Sequence, residues 1–336
     1  MIPEMENLVS GSVLGREEAR NLMLYLASER SSDAERAAFL AALKVRGERP
    51  QEVEGFVDAL RSLASMGRIS GVTDIVGTGG DGKNTINVST AAAIVCASMG
   101  IRVAKHGNYG ITGTHGSADF VRFLGFRTDF SAAEAESILE ASGFLYILAP
   151  LHNRSFGRFS RVRKELGFRS VFNYLGPLTN PADPDRIVAG ASTEHAYEMF
   201  VQVLSARGKD AAVVMSEDGM DEVSPFGATR ITFTGRLRGT MHLEPLSVTG
   251  FRPREEECIE KDPEASFYKA LGGLLGTNRD AQAFIALNCA PALMINGLYS
   301  GFSEAYGAAM RHISSGSVRS YLEGRLGVRL AELQRA

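Results

Sequence analysis

Two stretches of this 336-residue chain carry residue types and spacings suited to anion and metal chemistry. The first runs Val76-Gly77-Thr78-Gly79-Gly80-Asp81-Gly82-Lys83-Asn84-Thr85-Ile86-Asn87-Val88-Ser89-Thr90. An apolar lead-in, Asp74–Val76, reads as a strand end, and the small-residue run after Thr90 reads as a buried helix. Strand, glycine turn and helix start together aim backbone N–H groups at an anion. Glycine is required there because a Cβ blocks both the turn and a phosphate's approach. Asn84, Thr85, Asn87, Ser89 and Thr90 add short neutral donors. The plain alternative is a structural turn. Neither a P-loop nor a Rossmann fingerprint is present, since no Gly-Lys-Ser/Thr closes the loop and a polar run follows the glycines. The second stretch is Asp221-Glu222, behind Val213–Met215 and a turn at Gly219. Two adjacent carboxylates beside phosphate-binding turns suit Mg²⁺, which takes one or two protein carboxylates and fills its other positions with water and phosphate. An exposed acidic turn is the competing reading.

Three further segments join these. Lys105-His106-Gly107-Asn108 follows an expected strand at Arg102–Ala104, where ligands are met in open α/β sheets; Lys105 acts there as a point charge on phosphate. Gly113 to Asp119 places glycines and Ser117 at a helix start, with Ser117 either an anion contact or the N-cap. Arg154, Arg158, Arg161, Arg163, Lys164 and Arg169 make a basic helix, either a solvated face or one arginine turned inward to grip a carboxylate. Positions alone do not choose which. The six histidines show no zinc spacing, and there is no Gly-x-Ser-x-Gly elbow.

The elements that must hold these residues follow from periodicity. Residues 15–66 read as three helices, with Ala19, Leu22, Met23 and Leu26 on one face, Asp33 as a cap, Gly47 as a stop and Pro50 as a start. So few short helices bury little alone, so they pack on the rest of the chain or on a second copy. Residues 1–14 read as a frayed or docked leader. From Ile69 strands alternate with helices to about residue 150, the pattern of a parallel sheet with crossovers. A helical basic segment fills 153–180, strands return at 187–190 and 211–215, residues 228–250 read as an antiparallel ribbon, and the tail is helical near 264–274, 279–296 and 301–314.

Bulk properties bound the class. Hydrophobic residues make up 44% and charged residues 22%, as in ordinary globular proteins. A net charge of −3 speaks against a nucleic-acid binder. Three cysteines lack disulfide or metal spacing. The acidic start, without an apolar core, is not a secretory signal, so a cytoplasmic location is expected.

In order, Gly77–Gly82, Asn87–Thr90, Lys105–Asn108, Gly116–Asp119, Val162–Gly167, Phe172–Pro181 and Gly219–Ser224 resemble the anthranilate phosphoribosyltransferases, of the nucleoside phosphorylase and phosphoribosyltransferase fold family. The resemblance covers almost the whole chain. It implies a small all-helical domain, residues 1–68 with a returning piece at about 160–185, joined to an α/β domain of residues 69–336 with a mostly parallel central sheet flanked by helices. It implies an active site in the cleft between them, a homodimer through the helical domain, and transfer of the 5-phosphoribosyl group from phosphoribosyl pyrophosphate (PRPP) to the amine of anthranilate. Pyrophosphate is released, as a step of tryptophan biosynthesis. It implies that Gly77, Gly80, Asp81, Thr85, Asn87, Val88, Ser89, Thr90, Lys105, His106, Gly107, Asn108, Gly113 and Ser117 bind PRPP. Gly77, Asn108 and Arg163 would meet anthranilate, and Ser89, Asp221 and Glu222 would hold Mg²⁺. No acid–base residue is implied; Asn108 and Arg163 position the acceptor. Tyr109 stands where the family has Arg, Thr112-Gly113 where it has Ser-Ser, and Asn153 where it has an acceptor-side His. These departures are expected at the ligand rather than in the core. They bear on acceptor choice more than on PRPP, and leave two alternatives: a same-fold enzyme for another aromatic or pyrimidine acceptor, or a non-enzymatic relative binding nucleic acid through Arg154–Arg169.

Overall fold

The computed structural model describes residues 2–109 and 116–333. The chain divides into two compact units, one of Met1–Arg68 with Ala149–Asp183, the other of Ile69–Leu148 with Pro184–Ala336. The first is a small helical domain and the second a larger α/β domain. The returning piece of the helical unit begins at Ala149, earlier than the expected 160.

In the helical unit, Pro3–Val9, Arg16–Leu26, Asp33–Arg46 and Pro50–Ser62 are joined by Ala149–His152, Gly157–Leu166 and Phe172–Leu178. The leader is thus a docked helix, with Met5 and Leu8 buried. Its two apolar anchors are too few to write a helical period. Ser32, not Asp33, caps the second long helix, accepting from Glu35 N while Glu35 returns to Ser32 N. The early helices find their missing core in the returning segment. Phe39 meets Phe56 edge-on at 5.3 Å and Phe159 at 6.4 Å, and Phe159 packs on Phe172 at 4.4 Å. The run Phe172–Leu178 is helical, within the segment 153–180 expected to be so.

The α/β unit holds one seven-stranded sheet: β1 Thr73–Gly77, β2 Val103–Gly107, β3 Phe144–Leu148, β4 Arg186–Gly190, β5 Asp210–Ser216, β6 Thr229–Thr234 and β7 Gly239–Leu243. The order is β3-β2-β1-β4-β5-β6-β7, parallel through β5 and antiparallel beyond. The ribbon is shorter than expected: it ends at Leu243 and gives way to a short helix, Pro245–Thr249. A further unforeseen helix, Ser317–Gly324, buries Val318 and Leu322. Helix Val88–Ser98 is apolar all round beyond its first turn and accordingly buried from Thr90 to Ala97. It lies against β1, β2 and helix Arg279–Ile295. Each of its Val and Ile side chains contributes roughly 1.5–3 kcal/mol by leaving water, which fixes the first glycine turn to a rigid base.

From β1 the chain steps outward to β2 and β3, then jumps back across β1 to lay down β4. That reversal opens a crevice at the carboxyl ends of β1 and β4, the place where open α/β sheets take ligands.

Candidate active site

Gly77 ends β1 in register with Gly190, which ends β4. Between the two strand ends sits Asp221. A methyl group on Gly77 would lie 2.3 Å from Asp221 Oδ2, and one on Gly190 would lie 1.6 Å from the Asp221 carbonyl oxygen. Both glycines therefore exist for close approach, and the loop after β5 is seated in the crevice by the space they leave. The turn that follows Gly77 uses glycine for the other reason: Gly79, Gly80 and Gly82 have φ of +62°, +65° and +78°. Gly79 N donates to Asp221 Oδ2 at 2.6 Å, and Thr78 Oγ1 donates to the same oxygen at 3.3 Å. Thr78 Oγ1 also accepts from Ser192 N at 3.3 Å, tying the turn to the residues after β4.

The acidic loop is held from below. Asn288 Oδ1 accepts from Val223 N at 2.9 Å while its amide donates to the Val223 carbonyl at 3.0 Å. Ser216 Oγ donates to the Glu222 carbonyl at 2.6 Å. Thr85 Oγ1 donates to Glu222 Oε1 at 3.0 Å. The pair is thus neither an exposed turn nor a strand end, but a pinned loop beyond β5.

Asp221 and Glu222 are joined by a third carboxylate, Asp81 of the glycine turn. One oxygen from each lies within 4.8 Å of the others. Burial, then the neighbouring Asp81 charge, pushes the Asp221 carboxyl up to about 6. Glu222 is raised well above its usual range by burial and by the Asp221 charge. Asp81 Oδ2 and Glu222 Oε2 are buried without a hydrogen-bond partner among the described residues. One buried and two half-buried acids, two of them with an unused oxygen, fit a divalent, oxygen-seeking cation. Asp81's place in this set escaped the sequence reading, because its distance from Asp221 in the chain gives no spacing signal. Ser89, expected on the metal, has its Oγ 3.3 Å from Lys105 Nζ.

Lys105 lies inside β2 and is 2% exposed. Its Nζ donates to the Ile75 carbonyl at 2.5 Å as well as to Ser89. Burial pulls its pKa down to about 8, against the pull of Asp74, Asp221 and Glu222. It is a buried cation rather than a surface lysine. His106 N donates to Asp74 Oδ1 at 3.2 Å. Helix Val88–Ser98 starts at Asn87, whose side chain makes no cap bond; Val88 N donates to the Ile86 carbonyl, and the first-turn N–H groups of Ser89 and Thr90 keep their anion-binding capacity. Thr90 Oγ1 is buried without a partner among the described residues.

Gly107 and Asn108 leave β2 beside Ser117. The N-cap of helix Ser117–Phe123 is Gly116, with Asp119 closing back on Gly116 N at 2.9 Å, so Ser117 is not the cap. Gly113 and Thr112 lie outside the described residues. The structure thus brings together Gly77, Gly80, Asp81, Thr85, Asn87 to Thr90, Lys105, Asp221 and Glu222 around one end of the sheet. Residues 106–108 and Ser117 lie at the adjoining strand end.

Arg163 belongs to the helical unit. It is half-buried, its guanidinium lies 5.3 Å from the Phe172 ring centroid, and burial lowers its pKa. Its helix neighbours Arg158 and Arg161 instead pair with Glu29 and Glu165 at the surface. Asn153 is fully buried and its amide donates to the Leu60 carbonyl at 2.9 Å. It is a core position of the helical unit, against the expectation that this departure faces a ligand. Tyr109 is 49% exposed.

Residues 70–319 match the α/β domain of a glycosyl transferase family and residues 5–64 match the helical bundle domain of the same family. The anthranilate phosphoribosyltransferase of Picrophilus torridus is 46% identical over 286 residues, 85% of this chain and 87% of its own. That of Thermoplasma acidophilum is 42% identical over 95% of this chain and 98% of its own. The crystal structure of the Thermus thermophilus anthranilate phosphoribosyltransferase superposes with a TM-score of 0.87 at 32% identity, each chain covered completely. The Saccharomyces cerevisiae enzyme in complex with PRPP and Mg superposes with a TM-score of 0.84 at 25% identity, over 99% of this chain and 97% of that one. With both domains matched and relatives this similar over nearly its full length, the chain belongs to the anthranilate phosphoribosyltransferase family of glycosyl transferases.

Proposed function

We propose that the chain transfers the 5-phosphoribosyl group from PRPP to the amine of anthranilate with release of pyrophosphate, a pentosyl transfer of tryptophan biosynthesis. The observation that carries this reading is the meeting of a left-handed glycine turn, a buried lysine and a cluster of three carboxylates at one end of the sheet. A doubly phosphorylated sugar with a divalent ion satisfies all three at once. The Saccharomyces cerevisiae relative supports the same chemistry, having been solved with PRPP and Mg and, as a variant, with 4-fluoroanthranilate.

In this reading the N–H groups of the glycine turn and of Asn87 to Thr90, with Lys105, Asn108 and Ser117, hold the donor's phosphates. Asp221 and Glu222, with Asp81 and Ser89 nearby, are the residues suited to Mg²⁺, which when bound neutralises charge growing on the leaving pyrophosphate. As that bond lengthens, sugar C1 gains cationic character. The fixed donors of the glycine turn favour the departing anion without reorganising. The aromatic amine needs orientation more than deprotonation, so no general base is assigned. Arg163 carries a half-buried guanidinium whose pKa is lowered by burial alone, which suits the acceptor's carboxylate. Gly77 and Asn108 complete the acceptor side.

The test is loss of anthranilate fluorescence on mixing protein, PRPP and Mg²⁺. No loss at high protein concentration overturns the reading, and pyrophosphate release only with a different aminobenzoate or a pyrimidine base transfers it to another acceptor. Exposed apolar side chains of the helical unit, Val9, Val13, Val45 and Leu63 among them, support a homodimer through that unit, which sedimentation at micromolar concentration tests. A cytoplasmic location fits three free buried cysteines. None of the described helices is long and apolar enough to cross a membrane.

A further inference from the structure

Tyr146 has no place in the mechanism above, yet its hydroxyl is built into the donor side of the site. It lies on β3 opposite Lys105 of β2, and is 2% exposed. Its oxygen is 2.8 Å from Ser117 Oγ. Ser117 Oγ in turn donates to the Asn108 carbonyl at 3.3 Å, and Ala118 N donates to the same carbonyl at 3.2 Å. A serine hydroxyl has one proton. With that proton given to Asn108, the bond between the two hydroxyls is donated by Tyr146. Burial raises the phenol's pKa, so it remains a donor through the physiological range. The fit is tight: a methyl group on Gly107 would lie 2.3 Å from the Tyr146 oxygen and 2.4 Å from Ser117 Oγ. Gly107, Ser117 and Tyr146 therefore form one packed unit, in which the phenol fixes the serine oxygen from behind.

We propose that Tyr146 is a positioning residue for the donor, holding Ser117 Oγ so that its single proton can pass from the Asn108 carbonyl to a phosphate oxygen of PRPP without the side chain turning. The proposal rests on the assignment of Ser117 to the donor site. Tyr146→Phe removes one oxygen and keeps the ring. The expected result is a rise in KM for PRPP of roughly three- to tenfold, the worth of one hydrogen bond. Both kcat and KM for anthranilate stay within about twofold. In a Ser117→Ala background the same change has no further effect, because its target is gone. Direct calorimetric titration of each variant with PRPP and Mg²⁺, without acceptor, reads the same coupling even if anthranilate proves not to be the acceptor. Equal effects of Tyr146→Phe in the two backgrounds overturn the proposal, as does an unchanged donor affinity, or a uniform loss of kcat with a lowered melting temperature. If Ser117→Ala binds PRPP as the parent does while activity persists, the positioning role falls and the proposed function stands.

Discussion

The donor-side crevice and the arginine face of the helical unit are built by opposite means. At the crevice, backbone does most of the work. Gly77 and Gly190 leave room for Asp221, and Gly79, Gly80 and Gly82 take backbone conformations that other residues resist. A substitution at Gly77 or Gly190 meets an atom of Asp221, and one at Gly79 or Gly82 meets a strained backbone. In the helical unit, one side chain is set apart on a surface helix: Arg163 lies over Phe172, whereas Arg158 and Arg161 go to surface partners. A site made from steric necessity is hard to alter, and a site made from one long side chain is open to change. The same chain thus holds a fixed candidate donor region and an adjustable candidate acceptor region.

The strongest way to break this contrast is at the carboxylates. Asp221→Asn with Glu222→Gln keeps shape and removes charge. Activity is expected to fall by about 100- to 1,000-fold, with the Mg²⁺-dependent rise in melting temperature abolished. A retained Mg²⁺ response would show that the ion is held elsewhere. Next comes Gly190→Ala, whose methyl group would displace the Asp221 loop. A shift near 1 Å is expected to cost about 100-fold in kcat, measured with circular dichroism as a check on folding. Full activity would mean that the loop's seat in the crevice is unimportant.

Arg163→Ala sharpens the comparison from the other side. Removing a buried charge partner is expected to lower kcat/KM for anthranilate by roughly 30-fold or more, with PRPP affinity unchanged by calorimetry. Equal loss toward both ligands would erase the division between donor and acceptor regions.

The smallest effect is on stability. The folded Asp221 carboxyl titrates near 6, above the ordinary aspartate value of 3.8. Between those values the folded state holds more protons than the unfolded one, so without metal this group's contribution to stability increases as pH falls through the window. Mg²⁺ competes with that proton. Its stabilisation is expected to be full near about pH 8 and to fade toward about pH 5. Thermal melts with and without Mg²⁺ across that range check it, and a pH-independent Mg²⁺ effect would place the ion away from Asp221.

Much of this was readable beforehand. The β1 strand, its glycine turn and the apolar helix behind it are local patterns, and local patterns survive in sequence. Helix Pro3–Val9 was less legible, since it docks through Met5 and Leu8 alone. The cap expected at Asp33 lies one residue earlier, at Ser32, and of the two roles open to Ser117 the cap goes to Gly116, because Ser, Asp and Gly neighbours satisfy the same local rule. Asn153 looked like a ligand-facing change and is a buried tie to Leu60; burial is not a property of a residue's own neighbours in the chain.

By itself the sequence determined which turns are glycine-dependent, where the apolar helix lies behind them, and the family resemblance carried by their order. Those depend on backbone sterics and short-range periodicity, which act between residues a few positions apart. Only the tertiary structure decided that Asp81 joins Asp221 and Glu222, that Gly190 exists to admit Asp221, and that Tyr146 stands behind Ser117. Each of these is a contact between segments brought together by sheet order, and sheet order follows from the folding of the whole domain around its core.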